Sequence, residues 1–532
     1  MTSKLVRHVN LTVASVAGIV YAIDHVTNHV PTRMARVAWA GAATYADFKQ
    51  NVPKRPEMEH SHPSEMPDNM DDLSLERKEY KLALREYNLR TAQRLLHVCK
   101  LNGGVFTKMG QQLASLNHAL PAEYTSTLSE LQDQALPVSF EVAKSAVERE
   151  LGGPLKEFFS EFDESPIAAA SLAQVHHAVT KDGKEVAVKI QYPLLAQLLD
   201  SDLWTVRQAL LAIEKIWEIN VAWIMPEIEN ALEAELNFES EKKNSRKIKH
   251  LFRTMPWVYI PEVYDDLSTD RILTMEYIHG VKVTDTKTII NKLGLKPEDV
   301  AGKVSSMFAE MVFCSGFVHC DPHPGNLFVR RHPSRPDEAQ IVLLDHGLYR
   351  QLDENFRETF CKLWKALLLR DNELLVECGH AFNAGPYVKY FPFIFTYRSM
   401  GSKNKMGGQM SAEDKQALRE DFKKLQGSDV NEFFEHLPRD MLFVFRSTNL
   451  TRSLNKELGG NSRQRFQIFG KYALKGLVQD HAANGDNLAW WQSMRWTIDY
   501  ANLVTRLQLI DWSMLLYQKY YGIVVEADKT VG

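Results

Sequence analysis

Apolar residues recur at helical spacing from Leu73 to Leu116, with faces marked by Leu82, Leu84, Leu89, Leu95 and Leu96. Gly103-Gly104 interrupts this run before Lys108. A second helix is predicted between Ser139 and Leu151, stopped by Gly152-Gly153-Pro154. The pattern then turns β-rich in Ile167–His176 and again in Glu185–Ile190. The turn Lys181-Asp182-Gly183 lies between these runs, so they form a hairpin. Residues 200–250 read as two long helices with Pro226 at the joint, and Trp257 to Ile278 returns to strands. Beyond Ile278 the chain reads as helical apart from one strand pair near residue 320. Phe356, Phe360, Leu363, Trp364, Leu367 and Leu368 trace a single helical face. Two stretches read as unpacked: 52–72, with four prolines and few bulky aliphatics, and the flexible loop 399–412.

At 532 residues, 45% hydrophobic and 24% charged, the chain is an ordinary globular protein with room for two or three units. A net charge of −4 supplies no global basic field, so nucleic acid is not an expected partner. Cys99, Cys314, Cys320, Cys361 and Cys378 contain no C-x-x-C pair and read as buried thiols; Cys320, inside the catalytic loop, is the one to watch for reactivity, with inert packing the expectation. The N-terminus departs from this average. Lys4 and Arg7 precede an uncharged stretch from His8 to Ile23, and no acid occurs before Asp24. A basic, acid-poor start favours a mitochondrial address over a secretory signal. The uncharged stretch is shorter than the ~20 apolar residues of a typical span. A short anchor, an interfacial helix and a cleaved presequence all remain open.

The chemistry concentrates in His319-Cys320-Asp321-Pro322-His323-Pro324-Gly325-Asn326 and Leu343-Leu344-Asp345-His346-Gly347. The D-x-x-x-x-N spacing and the later Asp-His-Gly match the catalytic and metal-binding loops of kinases. In that chemistry Asp321 orients or deprotonates the nucleophile, while Asn326 and Asp345 hold Mg²⁺ against nucleotide phosphates. Lys189, in Val186-Ala187-Val188-Lys189, is a strand lysine suited to the α/β-phosphates if a carboxylate on a neighbouring helix holds it. His319, Asp321 and His323 alternate as metal ligands do, but no further ligand cluster accompanies them. Structural roles for both histidines, and packing for His346, are the expectation.

Together these residues resemble the UbiB or aarF-domain-containing family of atypical kinases, from about Leu95 to Tyr349. The signatures are Lys108-Met109-Gly110-Gln111 (K-x-G-Q), Ala168-Ala169-Ala170-Ser171, Val186-Ala187-Val188-Lys189 and the His319–Asn326 loop. Leu343–Tyr349 and Glu123–Leu128 look most like the mitochondrial aarF-domain-containing kinase 1 group. The resemblance implies an α+β, protein-kinase-like bilobal fold with an N-terminal helical K-x-G-Q extension and an enlarged helical C-lobe. The expected divisions are 1–50 (targeting or membrane-associated), 51–72 (linker), 73–153 (K-x-G-Q extension), 154–280 (N-lobe) and 281–532 (C-lobe). It further implies that Lys189 pairs with Glu241, and that Lys108 and Gln111 lie on a helix covering the active site. Glu235 would face Lys108. Ala168, Ala169, Ala170, Ser171 and Glu276 would serve the nucleotide. The family's E-x-D motif is altered here, because position 237 is Asn. Alanines also make the left-handed conformations of a glycine-rich loop costly, so nucleotide binding is expected to differ from that of a protein kinase.

The resulting expectation is a mitochondrial, inner-membrane-associated ATP/ADP- and Mg²⁺-binding protein. Its activity would be that of an ATPase or of a phosphotransferase for a small or lipid-like molecule. Resemblance suggests a role in lipid or quinone homeostasis and membrane organisation, with membrane lipids as partners. The alternative is a nucleotide-gated lipid- or partner-binding protein with little turnover; protein kinase activity ranks third.

Overall fold

The structure, a computed structural model, describes residues 24, 26–54, 75–114, 120–132, 137–170, 172–217, 225–320, 323–396, 437–483, 498, 501–502 and 505. Its N-terminal elements are α1 (Val30–Asn51), α2 (Leu75–Asn102), α3 (Gly104–Ala114) and α4 (Phe140–Leu151). Next come β1 (Phe159–Phe162), β2 (Ala168–Ala169), β3 (Ala173–Thr180), β4 (Glu185–Gln191), α5 (Leu195–Trp217), α6 (Met225–Leu236) and α7 (Phe238–Leu251). Then follow β5 (Val258–Tyr259), β6 (Ile272–Glu276), β7 (Val281–Lys282), α8 (Pro297–Ala309), β8 (Phe317–His319), β9 (Leu327–His332), β10 (Arg335–Leu343) and β11 (Tyr349–Gln351). The longer closing helices are α9 (Glu354–Leu369), α10 (Asn372–Ala381), α11 (Arg439–Glu457) and α12 (Ser462–Ala483). Two compact units result. One takes residues 1–61, 66–243 and 261–278; the other takes 62–65, 244–260 and 279–532.

In the first unit an antiparallel sheet runs β1-β3-β4-β6, with β2 attached to β3. The hairpin expected around Asp182-Gly183 is β3–β4, and Gly183 takes φ 79°, which favours glycine. On β4, Val186, Val188 and Ile190 are buried among Ala143, Ala146 and Val147 of α4, leaving Ala187 and Lys189 on the opposite face. Gly152 ends α4 in the left-handed conformation, as the Gly-Gly-Pro signal requires. The two left-handed glycines 103 and 104 split α2 from α3.

Helix α1 is tied down at both ends. Asp47 accepts from Arg90 Nε at 3.0 Å and from Arg94 Nη2 at 2.6 Å; these bonds, led by Arg90, hold its carboxyl well below the usual range. At the other end Arg33 donates from Nε to Asp202 of α5 at 2.9 Å and also reaches the carbonyl of Asn102. Within the expected 1–50 division, therefore, residues 30–50 are folded onto the first unit as part of α1. Residues 1–23 lie outside the described residues, as do most of 52–72 and all of 399–412.

Between 200 and 250 the helices differ from expectation. A second break falls at Asn237, separating α6 from α7, because the Asn237 side chain caps α7 by accepting from Ser240 N at 3.1 Å. Strand content in 257–278 is also smaller than expected. β5 pairs in parallel with β10 of the second unit, and only β6 joins the first sheet.

The second unit holds a sheet ordered β5-β10-β9-β7 and a separate β8–β11 pair. Its aromatic core forms around the predicted face of α9, where Phe360, Leu363, Trp364 and Leu367 are buried. Between α8 and β8 the chain makes a π-helical turn, Glu310–Ser315. The Phe313 carbonyl there accepts from Arg357 Nη1 at 2.9 Å and from the Cys361 thiol at 3.5 Å. Gly476 of α12 lies against the same carbonyl, and a Cβ at 476 would stand 2.1 Å from that oxygen. Gly476→Ala is therefore expected to cost about 3 kcal/mol, read by urea unfolding. Gly41→Ala on α1, where a Cβ meets nothing within 4 Å, is the control that should not destabilise.

Candidate functional site

Lys189 occupies the middle of the first sheet, opposite Val175 of β3 and Leu273 of β6. Its ammonium donates to both carboxylate oxygens of Glu241, at 2.9 and 2.8 Å, and lies 5.0 Å from the centre of the Phe238 ring. Glu241 is 2% exposed. The charged pair thus spans a strand and α7, and the Asn237 cap sets where α7 begins. Asn and Asp cap helices about equally well. The departure from the family's Asp at 237 leaves this role intact.

The three polar or small positions of Lys108-Met109-Gly110-Gln111 have separate tasks. Lys108 Nζ contacts Glu235 Oε1 of α6 at 2.5 Å. Gln111 Nε2 donates to the Leu131 carbonyl at 2.8 Å. Gly110 permits close packing: a Cβ there would stand 2.3 Å from Leu131 Cδ1 and 3.1 Å from Cys99 Sγ. Burial pushes the Cys99 thiol up to about 12, so it is a packing group.

The alanine-rich loop is extended backbone. Ala168 and Ala169 pair with Val175 and Gln174, the Ala170 amide donates to Ala173 O at 2.7 Å, and the Ala170 carbonyl accepts from Tyr192 Oη at 3.1 Å. None of Ala168–Ala170 has positive φ, in keeping with the cost of that conformation for alanine. Ser171 lies outside the described residues. A support that sequence reasoning missed lies on β3. Buried Gln174 accepts from Val138 N at 2.8 Å and bonds His176 Nε2 at 2.8 Å, and His176 Nδ1 meets the Asp163 carbonyl at 2.8 Å. Burial pushes the His176 pKa down, favouring the neutral ring. Adjacent Gln-x-His in a strand was the available signal. Glu276, on β6, accepts weakly from Glu262 N at 3.3 Å.

In the second unit Asp321 lies outside the described residues. Asn326 and Asp345 are brought together by the β9–β10 ladder: Leu327 pairs with Leu343, and Leu344 N donates to Asn326 O at 3.0 Å. Asp345 Oδ1 accepts from Gly347 N at 2.8 Å. His319 Nε2 bonds the Asp345 carbonyl at 3.1 Å, and Asn244 Nδ2 donates to the His346 carbonyl at 3.0 Å. His346 is buried between the Tyr349 hydroxyl and the Leu343 carbonyl, and His323 Nδ1 accepts from Gly325 N. Cys320 is 1% exposed, in keeping with the inert packing expected of it. Among the described residues no group of three His, Cys, Asp or Glu is placed to hold a metal. Two half-buried oxygen donors, Asn326 and Asp345, nevertheless suit Mg²⁺, which is bound by one or two carboxylates while water and phosphate complete its shell.

Removing one member of the Lys189–Glu241 pair strands the other. Lys189→Met is expected to destabilise by about 3 kcal/mol, and Lys189→Met/Glu241→Gln by distinctly less, in a urea double-mutant cycle. Additive losses would show that the pair is not coupled.

The ABC1 atypical kinase-like domain matches residues 130–379. The chain is 39% identical to the probable serine/threonine-protein kinase abkD of Dictyostelium discoideum, over 74% of this chain and 56% of that protein. It therefore spans little more than half of that relative. It is 36% identical to AarF domain-containing protein kinase 1 of Mus musculus, over 76% and 77% of the two chains. A solved complex of Rv3197 with erythromycin, from Mycobacterium tuberculosis, matches with a TM-score of 0.48 and 20% identity, over 75% of this chain and 99% of that one. From the sequence matches and the ordered kinase-like motifs, the chain belongs to the AarF domain-containing, ABC1 atypical kinase-like family.

Proposed function

We propose that this protein is a Mg²⁺- and ATP-dependent ATPase or phosphotransferase acting on a small or lipid-like molecule at a mitochondrial membrane. The observation that carries the reading is the ion pair between Lys189 and buried Glu241. It fixes a cation on a central strand, where it can offset charge on nucleotide phosphates. Asn326 and Asp345 are the proposed Mg²⁺ ligands. The ion would neutralise charge building on the transferred phosphoryl group. His319 and the Gly347 amide hold the Asp345 backbone and carboxylate in place. Asp321 is the proposed group that orients, or takes the proton from, the attacking hydroxyl or water. The alanine loop has its amides and carbonyls committed at Ala170, which supports nucleotide handling unlike that of a glycine-rich protein kinase loop. Lipid or quinone homeostasis and membrane organisation remain the proposed setting.

A second reading has one observation in its favour. The Lys108–Glu235 ion pair links the K-x-G-Q helix to α6, a contact that nucleotide binding could make or break. Lipid or partner binding would then be the output. Nucleotide turnover by the full chain, with and without vesicles, separates the two. Asp345→Asn is expected to lower ATP hydrolysis at least ~100-fold with nucleotide affinity changed much less. Equal rates for the variant and the parent, with ATP-dependent vesicle binding retained, would establish the gating reading.

No described helix is long and apolar enough to cross a membrane. The proposed mitochondrial address rests on residues 1–23. Deleting them spares α1, and the shortened chain fused to a fluorescent protein is expected to lose mitochondrial localisation in imaging. Retained localisation would remove the address from that segment.

A further inference from the structure

Three segments of the first unit meet at two side chains of β3. Gln174 and His176 are both 0% exposed and pair with Ile190 and Val188, on the face of the sheet that packs against α4. The His176 ring centre lies 6.2 Å from that of Phe140 and 5.4 Å from that of Phe162. The groups at either end fix the direction of each bond. The Val138 amide can only donate, so Gln174 accepts it through Oε1, and Gln174 Nε2 donates to His176 Nε2. The Asp163 carbonyl can only accept, so the neutral ring carries its proton on Nδ1. Burial, which pushes the His176 pKa down, favours that neutral form.

The chain of bonds ends where the alanine-rich loop departs. Asp163 directly follows β1, and its amide donates to the His177 carbonyl at 2.9 Å. Four residues on, the Ile167 amide donates to the Val175 carbonyl at 2.8 Å. Ala168 then pairs with Val175, and Val175 pairs with Lys189. Ala168 and Lys189 thus belong to one row across three strands, and side chains in such a row share a face. Resting on the nucleotide reading of this sheet, we propose that His176, oriented by Gln174, is a positioning residue for ATP: its Nδ1–H holds the Asp163 carbonyl and so sets the alanine-rich loop against the face that carries Lys189. Both side chains face the core, so they act on the nucleotide through the loop.

Calorimetric titration of the full chain with ATP and Mg²⁺, beside thermal melting without nucleotide, separates positioning from packing. His176→Gln keeps an acceptor for Gln174 and loses the donor to Asp163. It is expected to weaken ATP binding about tenfold, the worth of one hydrogen bond. His176→Asn keeps a donor at the Nδ1 position and loses the Gln174 contact. It should bind ATP within about threefold of the parent, although it too melts lower. Gln174→Met keeps the ring but removes the donor that holds Nε2 as the acceptor. It should weaken ATP by at least ~threefold, and it carries the test where His176→Gln does not fold. Unchanged affinity in His176→Gln and Gln174→Met, with melting lowered, would make the pair a packing element and overturn the positioning role. Equal losses in His176→Gln and His176→Asn would overturn it as well. A parent that binds no ATP removes the nucleotide reading itself, and the positioning role with it.

Discussion

The second unit depends on the treatment of one carbonyl. A π-helical turn displaces the Phe313 oxygen from the regular ladder, and a buried carbonyl left without a donor costs free energy comparable to a lost hydrogen bond. Arg357 and the Cys361 thiol, both on α9, supply donors, and Gly476 lets α12 approach the same point. The turn therefore joins three helices at the segment leading directly into β8 and His319. His319 in turn bonds the Asp345 carbonyl. The aromatic core around Phe313, Phe360, Trp364 and Phe469 encloses this junction, and within it the polar contacts are electrostatically stronger than in water.

Much of this was legible in the residues themselves. The β3–β4 hairpin followed from an Asp-Gly turn between alternating strands, and the buried face of α9 from its helical spacing. The pairing of Lys189 with Glu241 came from family resemblance, since 52 residues separate them and no local period connects them. The break at Asn237 was missed because a cap inside a helical pattern is a side-chain event. An Asn is equally at home on a solvated helix face until its oxygen accepts an amide. β5 was misassigned for a different reason. A two-residue strand carries too little alternation to reveal its partner, and its neighbour β10 lies about eighty residues later.

The K-x-G-Q motif shows how unlike demands can share four residues. Lysine reaches another helix by charge, glutamine satisfies a carbonyl at Leu131, and glycine sets how near α3 can approach Leu131 and Cys99. From sequence alone the glycine was readable as a tolerated irregularity costing about 1 kcal/mol. The packing gives it a positive reason: the missing side chain is what the interface is shaped around.

The two anchors of α1 bear on how the polypeptide can be processed. Asp202 and Asp47 are each almost fully buried, and each draws its guanidinium partners across a helix boundary: Arg33 of α1 for Asp202, Arg90 and Arg94 of α2 for Asp47. Losing the part of α1 that carries Arg33 or Asp47 would leave at least one of those charges without its counterion in a low-dielectric interior. Trimming upstream of Asp24 disturbs neither. The folded unit itself thus makes loss of α1 costly while leaving the residues ahead of it without such a constraint.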